Sequence, residues 1–124
     1  MTAETLSREL ASALDAMKAM NIRTLDVRGL TSVADFLIIA SGRSDRQVRA
    51  LAQKAVECAK ELKTPVLGIE GEREGEWVLV DLGDVIVHVM HPETRAYYQL
   101  EKLWSDGDRQ ASKAPRQVDA KVRP

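Results

Sequence analysis

The chain has 124 residues and a formal net charge of -1, from 18 basic and 19 acidic side chains. This near balance hides two segments of opposite sign. Residues 109–124 hold five basic and one acidic side chain, a net charge of +4, whereas residues 1–108 hold 13 basic and 18 acidic side chains, a net charge of -5. Phosphate backbones repel an acidic body, so the average charge of residues 1–108 argues against a general nucleic-acid-binding protein.

The length suits a single domain with a hydrophobic core, and it leaves no room for two. The single cysteine, Cys58, excludes an internal disulfide framework and a cysteine-based zinc site. The longest strongly apolar stretch, residues 36–40, is far shorter than the ~20 residues that a membrane-spanning helix needs. The first residues also lack the pattern of a signal or transit peptide, so we expect a cytoplasmic protein without a membrane partner.

The first half of the chain predicts a helix, two strands and a second helix. Apolar residues recur every three or four positions over roughly residues 3–20, which is typical of an amphipathic helix. Residues 24–27 alternate polar with apolar, as in a half-exposed strand, and residues 36–40 are apolar at every position, as in a buried central strand. Ser44 and Gln47 form a capping-box pattern, so a helix is expected to begin there and to end before Pro65.

The second half predicts three strands, at residues 66–69, 77–80 and 85–90, joined by links short enough for hairpins. A last helix is expected from Pro92, with its apolar face formed by Ala96, Tyr97, Leu100, Leu103 and Trp104. Residues 105–124 have almost no large apolar side chains and are interpreted as a disordered basic tail. The prediction is therefore one α/β domain over residues 1–104, with a five-stranded mixed sheet flanked by helices.

A possible phosphate site is the turn at residues 41–44, because a strand, a glycine turn and a helix N-terminus direct amide groups at one point. The second glycine and the Lys-Ser/Thr pair of a P-loop are missing, so a capped strand-to-helix turn is the favoured interpretation. A nucleotidyltransferase would also need paired carboxylates on the neighbouring strand to hold divalent ions. Asp81 and Asp84 flank a turn instead, and His88 and His91 are not expected to share a zinc ion. No catalytic, cofactor-binding or metal-binding residue is predicted.

Residues 70–84 hold six acidic and one basic side chain, and four of the five aromatic residues of the chain lie in or after this segment. Aromatic residues dominate interface hot spots, and charges around them steer a partner of opposite sign. Tyr97 and Trp104 are expected in the core. Strand parity puts Val85, Val87 and Val89 under a helix and leaves the opposite face, with Ile86, His88 and Met90, accessible. The predicted partner-binding patch consists of Trp77, Leu82, Asp84, His88, Met90 and Tyr98.

Four separated motifs resemble the ribosomal silencing factor family, also called Iojap-like. They are Ala34-Asp35-Phe36-Leu37-Ile38-Ile39-Ala40-Ser41-Gly42-Arg43-Ser44, Gly68-Ile69-Glu70-Gly71, Trp77 through Met90, and Arg95 with Tyr98 through Trp104. The resemblance covers about residues 5–104 and leaves out the tail.

The resemblance implies a nucleotidyltransferase-like fold without that fold's catalytic residues, and a translation repressor without enzymatic activity or cofactor. Such factors bind the large ribosomal subunit through ribosomal protein fourteen on the intersubunit face and sterically block joining of the small subunit. Homodimers are also implied. An acidic patch suits a basic ribosomal protein, and the basic tail is expected to make at most a peripheral contact with ribosomal RNA. An adaptor in assembly of the large subunit is the alternative, and Arg95 is expected either to contact a partner or to pair with Glu101 or Asp84.

Overall fold

The computed structural model describes residues 1–105, which form helices and strands in an alternating order. The elements are α1 (Ala3–Ala16), β1 (Met20–Asp26), β2 (Phe36–Ser41), α2 (Asp45–Glu61), β3 (Gly68–Glu70), β4 (Trp77–Asp81), β5 (Val85–Met90), α3 (Pro92–Tyr98) and α4 (Lys102–Ser105). From residue 106 onward the predicted basic tail lies outside the described residues, and Ser105 ends α4. Among the described helices, none is long and apolar enough to cross a membrane.

All five strands join one mixed sheet in the order β1-β2-β5-β4-β3, which confirms the predicted fold class. β2 and β5 run parallel at its centre, and the other three neighbouring pairs are antiparallel. Every residue of β2 and of β5 is buried. The sequences of these two strands are almost entirely apolar because both faces of the sheet are covered.

Helices α1 and α2 cover one face of the sheet. Leu10 and Leu14 of α1 and Leu51 of α2 are fully buried there. The row formed by Val85, Val87 and Val89 packs under these helices, as strand parity predicts.

The opposite face is covered as well, which differs from the expectation that it is accessible. The segment 27–35, the turn between α3 and α4, and α4 itself supply Leu30, Val33, Leu100 and Leu103 to a second core against this face. His88 is therefore only 1% exposed and Met90 0% exposed. The expectation that this face of the sheet is accessible was wrong. It is covered by a link without regular periodicity and by the region where the last helix is broken, and neither has a sequence pattern that predicts burial.

Two helix boundaries also differ from the prediction. α1 ends at Ala16 because Lys18 adopts φ 65°, and the chain enters β1 at Met20. The single helix expected over residues 92–104 is divided into α3 and α4 at Gln99, where φ is 48°. Because of this break, Tyr97 turns away from the core and is 81% exposed, which corrects its expected burial.

Candidate binding surface

One end of the sheet gathers the residues that are best placed for recognition. Met20 pairs with Ser41, Ser41 with Met90, and Met90 with Trp77, so the start of β1, the ends of β2 and β5 and the start of β4 are neighbours. We call this edge the Ser41 end of the sheet. α3 and the 71–76 link between β3 and β4 adjoin the same end.

The structure divides the six predicted partner-binding residues between the two ends of the sheet. Trp77, His88, Met90 and Tyr98 lie at or near the Ser41 end, whereas Leu82 and Asp84 belong to the turn at the opposite end of β5. Leu82 is buried in the core under α1 and α2, so it faces away from His88. Of the six, Asp84 and Tyr98 are exposed and Trp77 is half-buried. The six residues therefore do not form one continuous surface, because the length of β5 separates the β4–β5 turn from Met90.

The exposed part of the Ser41 end contains an aromatic cluster, formed by Trp77, Tyr97 and Tyr98. The ring of Tyr98 lies 4.9 Å from those of both neighbours, tilted by 53° to Trp77 and by 84° to Tyr97. Such tilted arrangements are the favoured geometry of aromatic pairs. Tyr98 is 54% exposed. The cluster therefore presents a wide, preorganised aromatic surface.

A hydrogen bond anchors this cluster to the core. Nε1–H of Trp77 donates to Nδ1 of His88 at 2.9 Å, so the buried imidazole nitrogen has a partner. Met90 is in register opposite Trp77 and packs in the same core. The buried residues His88 and Met90 thus support Trp77 from beneath.

Residues 71–76, which we call the acidic loop, lie beside the aromatic cluster. Arg49 of α2 holds the loop by donating from Nε to the carbonyl of Glu72 at 2.8 Å and from one terminal nitrogen to the carbonyls of Arg73 at 2.9 Å and Glu74 at 3.4 Å. Because the carbonyls turn inward to Arg49, the side chains of this stretch remain exposed. Gly71 closes the loop at φ 88°, where a Cβ would collide with the Trp77 carbonyl oxygen.

His91 ties the acidic loop to two helices. Its amide donates to the Glu76 carbonyl at 3.0 Å, and its Nε2 lies 2.5 Å from a carboxylate oxygen of Asp45, the first residue of α2. His91 is also the N-cap residue of α3. The loop, α2 and α3 are therefore joined at a single residue.

Arg95 fastens α3 to the sheet. Its Nε donates to a carboxylate oxygen of Glu101 at 3.0 Å, and one terminal nitrogen donates to the Ser41 hydroxyl, also at 3.0 Å. The side chain is buried, so Arg95 pairs with Glu101 rather than with Asp84. Arg95 thus positions the helix that carries the two tyrosines.

The turn at residues 41–44 uses its polar groups internally. The Ser44 hydroxyl accepts the amide of Gln47 at 3.1 Å, and the Gln47 side-chain oxygen accepts the amide of Arg43 at 2.6 Å. Ser41 and Gly42 are buried. These contacts agree with the capped-turn interpretation, and no group of three or more potential metal ligands occurs within residues 1–105.

Cys58 and Asp26, whose pKa values are shifted, lie away from the Ser41 end. Burial, with smaller contributions from Glu61 and Glu9, raises the pKa of the Cys58 thiol, which keeps it protonated and poorly nucleophilic. On β1, hydrogen bonds from Arg28 lower the pKa of Asp26, an exposed pair at the other end of the sheet. Neither group belongs to a reactive constellation, so the surface at the Ser41 end is suited to recognition.

Tyr97 is the candidate residue that sequence reasoning missed. The expected continuous helix put it on the same stripe as Leu100, but the left-handed turn at Gln99 removes that relation. No glycine marks the break, so the sequence carried no ordinary signal for it.

Comparisons with known proteins match the whole chain to one family. The profile of the family described as "Ribosomal silencing factor during starvation" matches residues 1–124. A Bacillus subtilis relative named ribosomal silencing factor RsfS is 45% identical over 106 residues, which cover 86% of this chain and 90% of the relative. A mouse relative named mitochondrial assembly of ribosomal large subunit protein 1 is 37% identical over 99 residues, which cover 77% of this chain and 43% of the relative.

Solved structures show the same fold. A crystal structure of a Chromobacterium violaceum protein matches with a TM-score of 0.82 at 45% identity, covering 84% of this chain and 87% of that chain. A crystal structure from Bacillus halodurans matches with a TM-score of 0.74 at 40% identity, covering 82% and 94%.

Proposed function

Because this chain belongs to the ribosomal silencing factor family, we propose that it represses translation by binding the large ribosomal subunit through ribosomal protein fourteen. Bound at the intersubunit face, the domain occupies space that the small subunit needs and so blocks joining. The mechanism is steric, acts in the cytoplasm, and requires neither catalysis nor a cofactor.

The observation that carries the proposal is the acidic loop beside the aromatic cluster. Carboxylates attract and orient a basic ribosomal protein, and exposed tyrosines supply contact area with few rotatable bonds. Arg49 and His91 hold the loop from behind, so little conformational entropy is lost when a partner binds.

The six sequence-predicted residues have different roles in this proposal. Trp77 and Tyr98, together with Tyr97, contact the partner, while His88 and Met90 support Trp77 from the core. Asp84 reaches the same partner if the interface spans the length of β5, which is roughly 17–20 Å. A standard interface of about 800 Å² per partner is wide enough to do so. Leu82 acts by shaping the turn that carries Asp84.

A role in assembly of the large subunit is the second candidate, favoured by the printed name of the mouse relative. The two roles share a binding partner and differ in the particle that is bound. Recovery of the protein on immature rather than mature large subunits would identify the assembly role.

We also propose that the free protein forms a homodimer that covers the aromatic cluster. An exposed surface of three large aromatic rings is costly in water, and a second copy would shield it. Dimer and ribosomal complex then exclude each other.

The test of the proposed function neutralises the acidic loop. Glu72→Gln combined with Glu74→Gln is expected to weaken binding to isolated ribosomal protein fourteen by about tenfold, because two exposed charges that steer the encounter are lost. Titration calorimetry measures the affinity. Sedimentation of purified subunits should show that more of the variant than of the native protein is needed to keep them apart.

The matched control is Glu57→Gln combined with Glu61→Gln, which makes the same charge change on the exposed side of α2. This variant should bind like the native protein. Equal weakening by both pairs would show that only the overall charge matters, and joined subunits at saturating native protein would refute the proposed mechanism.

A further inference from the structure

The Ser41 end carries a second, oppositely charged surface, which we call the basic rim. All its members are exposed, and within residues 1–105 none of them forms an ion pair. They are Lys18, Arg23, Arg43, Arg46 and Lys102.

Backbone contacts and two adjoining grooves place four of these residues on the β1 side of the Ser41 end, and Arg46 follows in the first turn of α2. Gln47 bridges two of them, because its side chain accepts the amide of Arg43 and donates to the carbonyl of Lys18 at 3.5 Å. A groove of about 320 Å³ brings Lys102 beside Ser41, and a neighbouring groove of about 400 Å³ brings Arg23 beside Arg95. The acidic loop lies on the β4 side of the same end, so the charges are divided across it.

The position of two arginines argues against a role in stability. Arg43 precedes the N-cap residue of α2, and Arg46 lies in its first turn, which begins at Asp45. The N-terminus of a helix carries a partial positive charge, so cations at that position oppose the helix dipole. Their exposed guanidinium groups cost the fold a little and are available to an anionic partner.

Nearby carboxylates compensate this charge only in part. Asp45 is engaged with His91, and Glu101 with Arg95. Asp26, three residues after Arg23, is engaged with Arg28, whereas Asp15, three residues before Lys18, is exposed and forms no ion pair within residues 1–105. The chain leaves the described region at Ser105, three residues after Lys102, and residues 106–124 add five basic and three acidic side chains, a net charge of +2.

We propose that the basic rim binds the phosphate backbone of RNA while the acidic loop binds protein. The inference rests on the proposed function, since the partner must present a basic protein beside an exposed RNA backbone. Arginine is suited to this role because its fork donates two hydrogen bonds to one phosphate. The acidic average of residues 1–108 then disfavours RNA elsewhere on the surface and fixes the orientation of the domain at a protein–RNA boundary.

The test uses the full chain with Arg43→Gln and Arg46→Gln, and measures affinity for purified large subunits at several salt concentrations. Each phosphate contact that is lost should lower the slope of log affinity against log salt by about one. We expect affinity for the subunit to fall about tenfold, while affinity for isolated ribosomal protein fourteen and the urea midpoint do not decrease. Lys60→Gln with Lys63→Gln, at the far end of α2, is the charge-matched control and should change neither affinity.

The outcomes separate this inference from the proposed function. An unchanged salt slope for the arginine variant, with native binding to ribosomal protein fourteen intact, would overturn the RNA inference alone. Equal loss of affinity for the isolated protein would also overturn it, by showing that the rim contacts protein. A reduced salt slope on subunits, with no binding of the native chain to ribosomal protein fourteen, would support the rim and overturn the proposed function.

Discussion

Trp77 combines two roles that are usually separate, since its indole is half exposed in the aromatic cluster and also bonded to a buried histidine. A buried nitrogen that loses its hydrogen-bond partner is destabilising, so this bond links the shape of the binding surface to the stability of the core. A loss of binding on mutating Trp77 therefore has to be read together with a stability measurement.

We expect Trp77→Phe to lower the free energy of unfolding by about 1–3 kcal/mol, because His88 loses its donor. Urea denaturation measures this effect. Phenylalanine is also smaller, so the comparison is repeated in a His88→Met background, where the volume is still lost but the bond is already absent. A coupling of about 1 kcal/mol between the two positions is expected. Additive effects would show that the bond contributes nothing to stability.

The two faces of β5 show what strand parity can predict about burial. It correctly placed the valines of β5 under the helices, because α1 and α2 are strongly periodic and their cover is predictable. It failed for His88 and Met90, because the second core is completed by the 27–35 link, by Leu100 in the turn after α3 and by Leu103 of α4. Burial by irregular segments depends on the path of the chain in space, which one sequence does not specify.

The helix boundaries also differ in how well the sequence predicts them. The start of α2 was predicted from Ser44 and Gln47, whose side chains do cap the helix. The ends of α1, α2 and α3 are closed by residues in the left-handed region, namely Lys18, Lys63 and Gln99. Glycine usually occupies this position, so the break between α3 and α4 was missed and Tyr97 was placed in the core.

The acidic loop depends on α2 for its conformation, and Arg49 provides the connection. We expect Arg49→Ala to speed amide exchange in residues 72–76 at least tenfold and to weaken binding to ribosomal protein fourteen, because three carbonyl contacts are lost. Exchange by mass spectrometry and titration calorimetry measure the two effects. The global stability should fall by only about 1 kcal/mol, since these contacts are exposed.

Two control variants make the role of Arg49 specific. Arg49→Lys keeps the charge but lacks the planar guanidinium group that reaches three carbonyls. It should therefore show most of the loss of binding and of protection from exchange. Gln53→Ala, one turn later on α2, should behave like the native protein. Native binding by Arg49→Lys would show that only the charge matters and that the loop needs no positioning.

At the scale of the whole molecule, the net charge of -1 is an average over surfaces of opposite charge. The acidic loop lies on the β4 side of the Ser41 end, whereas Lys18, Arg23 and Lys102 of the basic rim lie on its β1 side. Counting charges along the sequence located the acidic segment at residues 70–84 and the basic residues from 109 onward. It did not reveal the basic rim, because its five residues come from three separate segments of the chain that are brought together by the pairing of β1, β2 and β5.

Because it carries both an acidic and a basic surface, the Ser41 end is complementary in charge to the Ser41 end of a second copy. In a dimer with two-fold symmetry, the acidic loop of one copy can face the basic rim of the other at both contacts. The aromatic cluster would be covered between the two contacts. The proposed homodimer should therefore weaken as salt concentration rises, because the paired charges are exposed at its edge.

A charge-exchange experiment tests this arrangement. A variant with Glu72→Lys and Glu74→Lys, and another with Arg43→Glu and Arg46→Glu, should each remain monomeric, because like charges then meet at both contacts. Their mixture should form a heterodimer, since every contact is again attractive. Sedimentation velocity distinguishes these states, and ribosomal protein fourteen should dissociate the native dimer by competing for the tyrosines. Dimers formed by either variant alone would contradict the arrangement, because its symmetry leaves no attractive charge contact in them.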